Sequence, residues 1–271
     1  MQPALRWLQP MPNLHLLRQQ TEQLVREQPV DLLVLPEAFN GQPSDYDRGA
    51  SARQARQFLS TLARACHVNV VGGSIDYEYE DGVRRNTCFV VDRTGTEIGQ
   101  YSKRVMFARE LGSRRPGEGS GIFELTGVRI GVLVCADLWE ASMARELLDR
   151  VDILCVPART TVPSERYTQY ARTLWWSLAL TRAMENAVPV VVSDWAEGRH
   201  DSKRLVEGTL VHDVHYTSGG GTICDPAGRP DIARIQRTLA RGAPGLLTAS
   251  IDLDAVADFR KYRRSVGLLP G

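Results

Sequence analysis

Continuous apolar segments alternate with helical segments along this chain, and this alternation restricts its fold more than any other feature. The apolar segments that read as buried strands cover residues 30–37, 128–137, 151–158 and 188–196. The spacing of apolar residues predicts helices over residues 14–26, 51–67, 142–149 and 167–186. Strands that are apolar throughout must be covered by other elements, which implies sheets with helices packed on them. The sequence therefore predicts an α/β protein.

Further segments predict sheets that are mixed rather than purely parallel. Residues 86–103 read as a hairpin with Thr94-Gly95 at its turn. Residues 68–78, 219–230 and 246–256 read as additional strands. The chain has no repeat, low-complexity stretch or linker, so we expect one domain over residues 1–271.

Charge and cysteine content limit the classes of partner and compartment. The chain has 33 basic and 32 acidic residues, so a net charge of +1 gives it no global attraction to nucleic acid or anionic membrane. Its five cysteines are widely spaced and form no CxxC pair, which favours reduced thiols in a cytosol. The first residues lack the apolar core of a signal peptide. We therefore expect a cytoplasmic protein that acts through local sites.

Cys135 is the candidate nucleophile. It ends the apolar run that begins at Gly131, and Ala136-Asp137 and a helical pattern follow, which places it on a strand-to-helix turn. The amide groups that open a helix favour the thiolate form of a cysteine. The alternative is a buried, inert thiol, which is the commoner environment for a free cysteine. Cys155, inside an apolar strand, reads as such a core residue.

Two charged residues could assist this thiol. Glu37 directly follows an apolar strand and a proline, where a rigidly placed carboxylate could act as a base. Lys103 ends the predicted hairpin and is one of only three lysines among 33 basic residues. Its compact ammonium could lower the pKa of the thiol and stabilise an oxyanion. The alternatives are a solvated loop carboxylate and a solvated surface lysine.

Histidines give a weaker signal. None of the five histidines lies at a predicted strand end, so a Cys–His dyad has no support. His212 and His215 form an H-x-x-H pair beside Asp213 that could suggest a metal. A third ligand is not clearly placed and zinc-type spacings are absent, so we expect no metal site.

The order Glu, Lys, Cys at successive strand ends resembles the nitrilase, or carbon–nitrogen hydrolase, superfamily and its amidase-like branch. The matching segments are VDLLVLPEAF around Glu37, GQYSKRVMF around Lys103 and RIGVLVCADLWE around Cys135. Supporting segments are RAMENAVPVVVSD, GGGTICDPAGRP and ASIDLDAVADFRKYRR. The resemblance implies a four-layer α-β-β-α sandwich with two mixed sheets and a Glu-Lys-Cys triad.

The same resemblance implies a mechanism that needs no cofactor. Cys135 would attack the carbon of a small linear amide or N-carbamoyl compound and form a thioester, releasing ammonia or an amine. Glu37 would move the protons, and Lys103 with the backbone N–H of Ala136 would hold the oxyanion. A second, supporting glutamate is expected at Glu110, since the register of RELGSRRPGE favours it over Glu118.

Substrate preference is less constrained. Many amidase members carry an arginine four residues after the cysteine, where this chain has Trp139. We expect Trp139 to form a pocket wall and Arg159, which follows a strand, to make a polar contact with the substrate. An acyltransferase, a nitrilase and a catalytically silent binding or scaffold protein remain as alternatives. Family members usually form dimers or larger assemblies, so the expected partners are a small-molecule amide and further copies of this chain.

Overall fold

The computed structural model describes residues 1–41, 48–206, 209–228 and 232–270. The described helices, in chain order, are α1 (Pro10–Glu27), α2 (Arg48–Cys66), α3 (Ala141–Arg145), α4 (Thr168–Asn186), α5 (Ile232–Ile235) and α6 (Leu253–Ser265). The described strands are β1 (Leu32–Val34), β2 (Asn69–Val71), β3 (Ile75–Glu78), β4 (Arg84–Val91), β5 (Glu97–Ser102), β6 (Ile122–Leu125), β7 (Val128–Val132), β8 (Ile153–Pro157), β9 (Thr161–Val162), β10 (Val190–Ser193), β11 (Gly198–Val206), β12 (Thr209–Thr217), β13 (Thr222–Cys224) and β14 (Gln236–Thr238).

The strands form two main sheets, and both are mixed. In the first sheet β1 pairs parallel with β2, while β4 pairs antiparallel with β2, β3 and β5. The second sheet has the order β14-β13-β10-β8-β7-β6, in which β10, β8 and β7 are parallel and the outer pairs are antiparallel. A smaller sheet joins β11, β12 and β9. The predicted mixed sheets are confirmed.

Alternation of side chains along the first sheet builds the four layers. Leu33 and Val70 belong to a core shared with α1 and α2. Their neighbours Val34 and Val71 point to the other face and belong to a core shared with the second sheet. That second core continues to α3 and α4 through Trp175 and other buried side chains. The predicted α-β-β-α sandwich is confirmed.

The long helices lie where the sequence predicts them. Helix α1 begins earlier than predicted because Pro10, with its fixed φ angle, suits a first helical position. Helices α2 and α4 match predictions to within a few residues, whereas α3 ends at Arg145. In the described part of the chain, no helix is both long enough and apolar enough to cross a membrane.

One local prediction is wrong, and one hairpin was not predicted. Residues 246–256 contain no strand, because α6 begins at Leu253 and Asp252 caps it by accepting a hydrogen bond from the Ala255 backbone (3.1 Å). The I-D-L-D alternation imitates a strand, and the aspartate cap overrides it. The polar stretch that holds His200, His212 and His215 forms the β11–β12 hairpin, whose alternation of polar residues hid the pairing. Residues 229–230 of the predicted strand and turn 219–230 lie outside the described residues.

Candidate active site

The ends of several strands bring the predicted site residues to one cavity. Glu37 follows β1, Lys103 follows β5, and Cys135 follows β7. The backbone N–H of Glu37 donates to the Ala158 carbonyl of the second sheet (3.2 Å), which ties the two sheets together at this edge. The cavity measures about 520 Å³. Its lining includes Trp7, Glu37, Asp76, Asn86, Lys103, Phe107, Glu110, Arg114, Cys135, Arg159, Asp213 and His215.

Lys103 lies between two carboxylates in the floor of this cavity. Its Nζ is 3.0 Å from Glu37 Oε1 and 2.7 Å from Glu110 Oε2, and only 2 % of its side chain is exposed. Burial alone would lower the pKa of this ammonium, but Glu37, Cys135 and Glu110 hold it above its usual value. Lys103 is therefore a fixed positive charge and not a solvated surface lysine.

Glu37 stays ionised in this buried position. Burial raises the pKa of its carboxyl group, but the charges of Lys103 and Arg159 and hydrogen bonds from Cys135 and Lys103 outweigh that effect. The net pKa lies below the usual value for glutamate. At neutral pH the group is a carboxylate that can accept a proton.

Glu110 completes the charged cluster, as its register in the sequence suggests. It ends a short 3₁₀ turn (Ala108–Glu110), and its Oε2 accepts a hydrogen bond from the Phe107 backbone (3.1 Å). The alternative residue, Glu118, is exposed on the loop that follows and does not line the cavity.

Asn86 belongs to this cluster and was not predicted. Its Nδ2 donates to Glu37 Oε1 and to Glu110 Oε1, each at 2.7 Å, and its carbonyl accepts from the Lys103 backbone (2.8 Å). Two carboxylates share one lysine here, so the amide supplies the further donors that they need. The only signal in the sequence is a polar residue at the start of an apolar strand.

Cys135 stands on a sharp turn with a left-handed backbone conformation, at φ 49°. It begins a 3₁₀ helix (Cys135–Trp139) directly after the strand β7 and its extension. The Asp137 carboxylate accepts hydrogen bonds from the backbone N–H of Val134 (2.9 Å) and Val105 (2.7 Å). Asp137 thus fixes the turn and, at the same time, the segment after Lys103. This residue also escaped prediction.

The resting thiol of Cys135 is protonated, so the prediction of a stabilised thiolate is wrong. Burial raises its pKa well above the usual value, and the Glu37 charge and hydrogen bond raise it further. Lys103 and a hydrogen bond from the Arg159 backbone N–H oppose this shift without reversing it. A 3₁₀ helix of five residues has too few aligned peptides to offset burial.

The three predicted pocket residues occupy different positions in the structure. Arg159 lines the cavity, with its guanidinium over the rings of Trp7 (4.8 Å) and Trp195 (5.9 Å). Ala136 is buried directly after Cys135. Trp139 does not form a pocket wall: it is 49 % exposed and packs edge-on against Trp175. The 3₁₀ turn, with about three residues per turn, rotates it away from the cysteine.

The H-x-x-H pair does not converge on a common point. His212 and His215 are three residues apart on β12, and side chains at odd spacing in a strand face opposite sides. His212 lies 3.4 Å from Asp201, whereas the His215 ring stacks on His200. Among the residues described, no group of three or more His, Cys, Asp or Glu side chains is arranged to hold a metal ion.

The chain is similar in sequence to known proteins along most of its length. The family model described as carbon-nitrogen hydrolase matches residues 1–261. The chain is 27 % identical to a 2-oxoglutaramate amidase of Bacillus subtilis, with 85 % of this chain and 82 % of the relative covered. It is 28 % identical to an omega-amidase of Danio rerio, with 88 % and 83 % covered.

Solved structures show the same fold at lower identity. A carbon-nitrogen hydrolase from Helicobacter pylori has a TM-score of 0.79 at 19 % identity, covering 98 % of this chain and 92 % of the other. Saccharomyces cerevisiae Nit3, of branch 10 of the nitrilase superfamily, has a TM-score of 0.75 at 23 % identity, with 99 % and 93 % covered. The match over nearly the whole chain establishes that this protein belongs to the carbon-nitrogen hydrolase family of the nitrilase superfamily.

Proposed function

We propose that this protein hydrolyses a small linear amide through a thioester on Cys135. The observation that carries the proposal is a buried thiol that hydrogen-bonds to an ionised glutamate, beside a fixed ammonium, in an open cavity. The names of the amidase relatives support amide cleavage as the class of reaction. An N-carbamoyl compound presents the same carbonyl–nitrogen bond and is the related substrate class.

In the acylation step, Glu37 takes the thiol proton as sulfur attacks the amide carbon. The resting pKa values support this order, because the thiol holds its proton and the glutamate does not. Glu37 then passes the proton to the nitrogen as the carbon–nitrogen bond breaks, so ammonia leaves. The enzyme is left with a thioester, which splits one difficult step into two easier ones.

The negative charge that forms on the carbonyl oxygen needs donors fixed in advance. Lys103 Nζ and the Ala136 backbone N–H are the proposed donors. Lys103 is suited to this role because Glu37 and Glu110 hold its ammonium in place and keep it charged. Glu110 and Asn86 act through these contacts as positioning residues.

In the deacylation step, water attacks the thioester. Glu37, again ionised, takes a proton from the water, and the proton returns to sulfur as the carbon–sulfur bond breaks. The products are a carboxylic acid and the original thiol. The balance is amide plus water giving acid plus ammonia, with no external oxidant or reductant.

Ammonia release from a panel of primary amides, N-carbamoyl compounds and nitriles tests the proposed function. We expect wild type to release ammonia from amides, and the Cys135→Ala variant to release none. If the acyl group is transferred to an added amine in preference to water, the protein is an acyltransferase and not a hydrolase. Release from nitriles alone would replace it with a nitrilase.

Selective alkylation of Cys135 tests the silent-scaffold alternative. Iodoacetamide is itself a small amide, so we expect it to enter the cavity and label Cys135 first at neutral pH. Cys88 and Cys155 should be protected because they are fully buried. Glu37→Gln removes the base while keeping the shape, and should slow labelling of Cys135 by about tenfold or more.

Peptide mass spectrometry after short exposure measures these rates. Cys66, half-buried on α2 and outside the cavity, serves as the internal reference thiol. A Cys135 that reacts no faster than Cys66, with or without Glu37, would favour a binding protein over an enzyme.

A further inference from the structure

Two buried residues directly after β10, Asp194 and Trp195, have no part in the proposed proton transfers. Both are fully buried, and neither belongs to the described lining of the cavity. A carboxylate and an indole N–H are costly to bury unless each has a hydrogen-bond partner. The partners of these two side chains therefore show which parts of the molecule they hold in place.

Asp194 joins three backbone segments. Its Oδ1 accepts hydrogen bonds from the backbone N–H groups of Thr160 (2.9 Å) and Trp195 (2.8 Å), and its Oδ2 accepts from that of Gly220 (2.7 Å). A Cβ atom at Gly220 would lie only 2.9 Å from Oδ2, so this close approach requires glycine. Asp194 thus ties the segment after β8, which carries Thr160, to the segment after β10.

The segment after β8 contacts both the proposed base and the proposed nucleophile. The carbonyl of Ala158 accepts a hydrogen bond from the backbone N–H of Glu37 (3.2 Å). The backbone N–H of the next residue, Arg159, donates to the sulfur of Cys135. Thr160, which follows, is the residue held by the buried carboxylate. Three consecutive residues therefore connect that carboxylate to both reacting groups.

Trp195 holds Glu37 from the other side. Its Nε1 donates to the backbone carbonyl of Glu37 at 2.8 Å, so the backbone of this glutamate is fixed at both its N–H and its carbonyl. The indole has little freedom, because the rings of Trp7 and His200 lie 6.3 and 5.3 Å from it and the guanidinium of Arg159 lies 5.9 Å from it. A change at this indole N–H would act directly on the placement of the glutamate.

We propose that Asp194 and Trp195 are positioning residues that hold the base Glu37 in line with the thiol of Cys135. This inference rests on the proposed role of Glu37 in the reaction. Proton transfer needs the two groups within hydrogen-bond reach, and a displacement of about 1 Å can cost about a hundredfold in rate. Because neither residue belongs to the described lining of the cavity, their loss should lower kcat far more than it raises KM.

Trp195→Phe tests the link to Glu37, since it removes the indole N–H and keeps an aromatic ring. We expect kcat for amide hydrolysis to fall about 10- to 100-fold while KM stays within about threefold. The matched control is Trp175→Phe, which removes a second buried indole that packs edge-on against Trp139. This control should keep the wild-type kcat, and an equal loss of kcat in both variants would overturn the inference.

The acid limb of the pH profile, where kcat/KM falls with falling pH, separates positioning from general destabilisation. The titratable and charged groups around the Glu37 carboxylate belong to Lys103, Glu110, Cys135 and Arg159. The pKa of Glu37 is low because the charges and hydrogen bonds there outweigh its burial. A displaced carboxylate loses part of these contacts and stays buried, so the acid limb should move to higher pH in Trp195→Phe. Loss of amplitude with an unmoved limb would contradict the inference.

Two substitutions at Asp194 test the carboxylate itself, on protein that circular dichroism shows to be folded. Asparagine keeps an oxygen for the N–H groups of Thr160 and Trp195 but turns a donor toward Gly220. We expect Asp194→Asn to keep kcat within about threefold and Asp194→Ala to lose about tenfold or more. Wild-type kcat in folded Asp194→Ala, or equal losses in the two variants, would overturn the inference. If Asp194→Ala does not fold, Trp195→Phe decides.

Labelling of Cys135 by iodoacetamide separates failure of this inference from failure of the proposed function, because labelling needs no turnover. Trp195→Phe should slow it by about threefold or more, in the same direction as Glu37→Gln. If that slowing appears while wild type hydrolyses no amide, the positioning stands and the proposed reaction fails. If wild type hydrolyses amides but Trp195→Phe changes neither kcat, the acid limb nor labelling, the reaction stands and the positioning fails. Faster labelling would show that the indole only restricts access, and would also overturn the inference.

Discussion

Cys135→Ala is expected to reduce amide hydrolysis by at least about 10⁴-fold, since loss of a covalent nucleophile has effects of this size. The fold should survive, because alanine has the smaller side chain and keeps the Asp137 contacts of the turn intact. We expect a loss of about 1 kcal/mol or less in the free energy of unfolding. Ammonia release and circular dichroism measure the two effects on the same sample.

Cys66→Ala is the matched control for this prediction. Cys66 ends α2, outside the cavity, so its removal should leave activity at the wild-type level. Hydrolysis that persists in Cys135→Ala but is lost in Cys66→Ala would show that the reaction depends on Cys66 instead. Hydrolysis that persists in both variants would exclude cysteine as the nucleophile.

Lys103→Met should remove activity and also destabilise the protein by about 3–5 kcal/mol, the range for breaking a buried ion pair. Methionine matches the length of the lysine stem, so packing changes little. The variant leaves Glu37 and Glu110 bridged by the Asn86 amide but without the ammonium that lies between them. Thermal unfolding and ammonia release report the two losses.

The stability loss in Lys103→Met should depend on pH in a definite direction. In wild type the pKa of Glu37 is lowered by folding, so it contributes stability above its unfolded pKa of about 4.3 and that stability is lost as pH falls. In Lys103→Met the largest charge that lowers the pKa of Glu37 is gone while burial still raises it, so the Glu37 pKa should lie higher than in wild type. We therefore expect the difference in unfolding free energy between wild type and variant to narrow as pH falls.

Two further variants serve as controls. One keeps a positive charge at position 103, and the other removes a lysine far from the cavity. Lys103→Arg keeps the charge but not the compact ammonium, and should also be severely impaired. Lys261→Met removes a lysine that is exposed and paired with Asp258, and should change neither property. Near-normal activity in Lys103→Arg would show that another group stabilises the oxyanion.

The apolar segments predict the fold class because they are long and unambiguous, whereas the four-layer arrangement follows from the resemblance to the nitrilase superfamily. The runs at 128–137 and 151–158 are apolar on both faces, so they are buried only in a covered sheet. The strands β7 and β8 lie in such a sheet. The same reasoning places Cys135 and Arg159 at one edge, because β7 and β8 are parallel neighbours whose carboxyl ends meet there. Glu37 follows β1 in the other sheet, so its convergence with them depends on how the two sheets pack, which the strand pattern does not contain.

Other features depend on distances that the sequence does not contain. Asn86 reaches two carboxylates only because β4 runs between the segments that carry them. Trp139 turns outward because the helix after Cys135 is a 3₁₀ turn, a choice that residue types leave open. The protonated state of the Cys135 thiol follows from its burial beside Glu37, and burial of an individual atom is a tertiary property.

Direct detection of the thioester tests the central claim more closely than any rate. Wild type mixed with an amide that it hydrolyses, quenched in acid within a turnover and digested, is analysed by mass spectrometry. We predict that the peptide carrying Cys135 gains the mass of the acyl group, and that hydroxylamine removes it as the hydroxamate. An acyl group on another residue, or continued hydrolysis with no acylated peptide, would contradict the account.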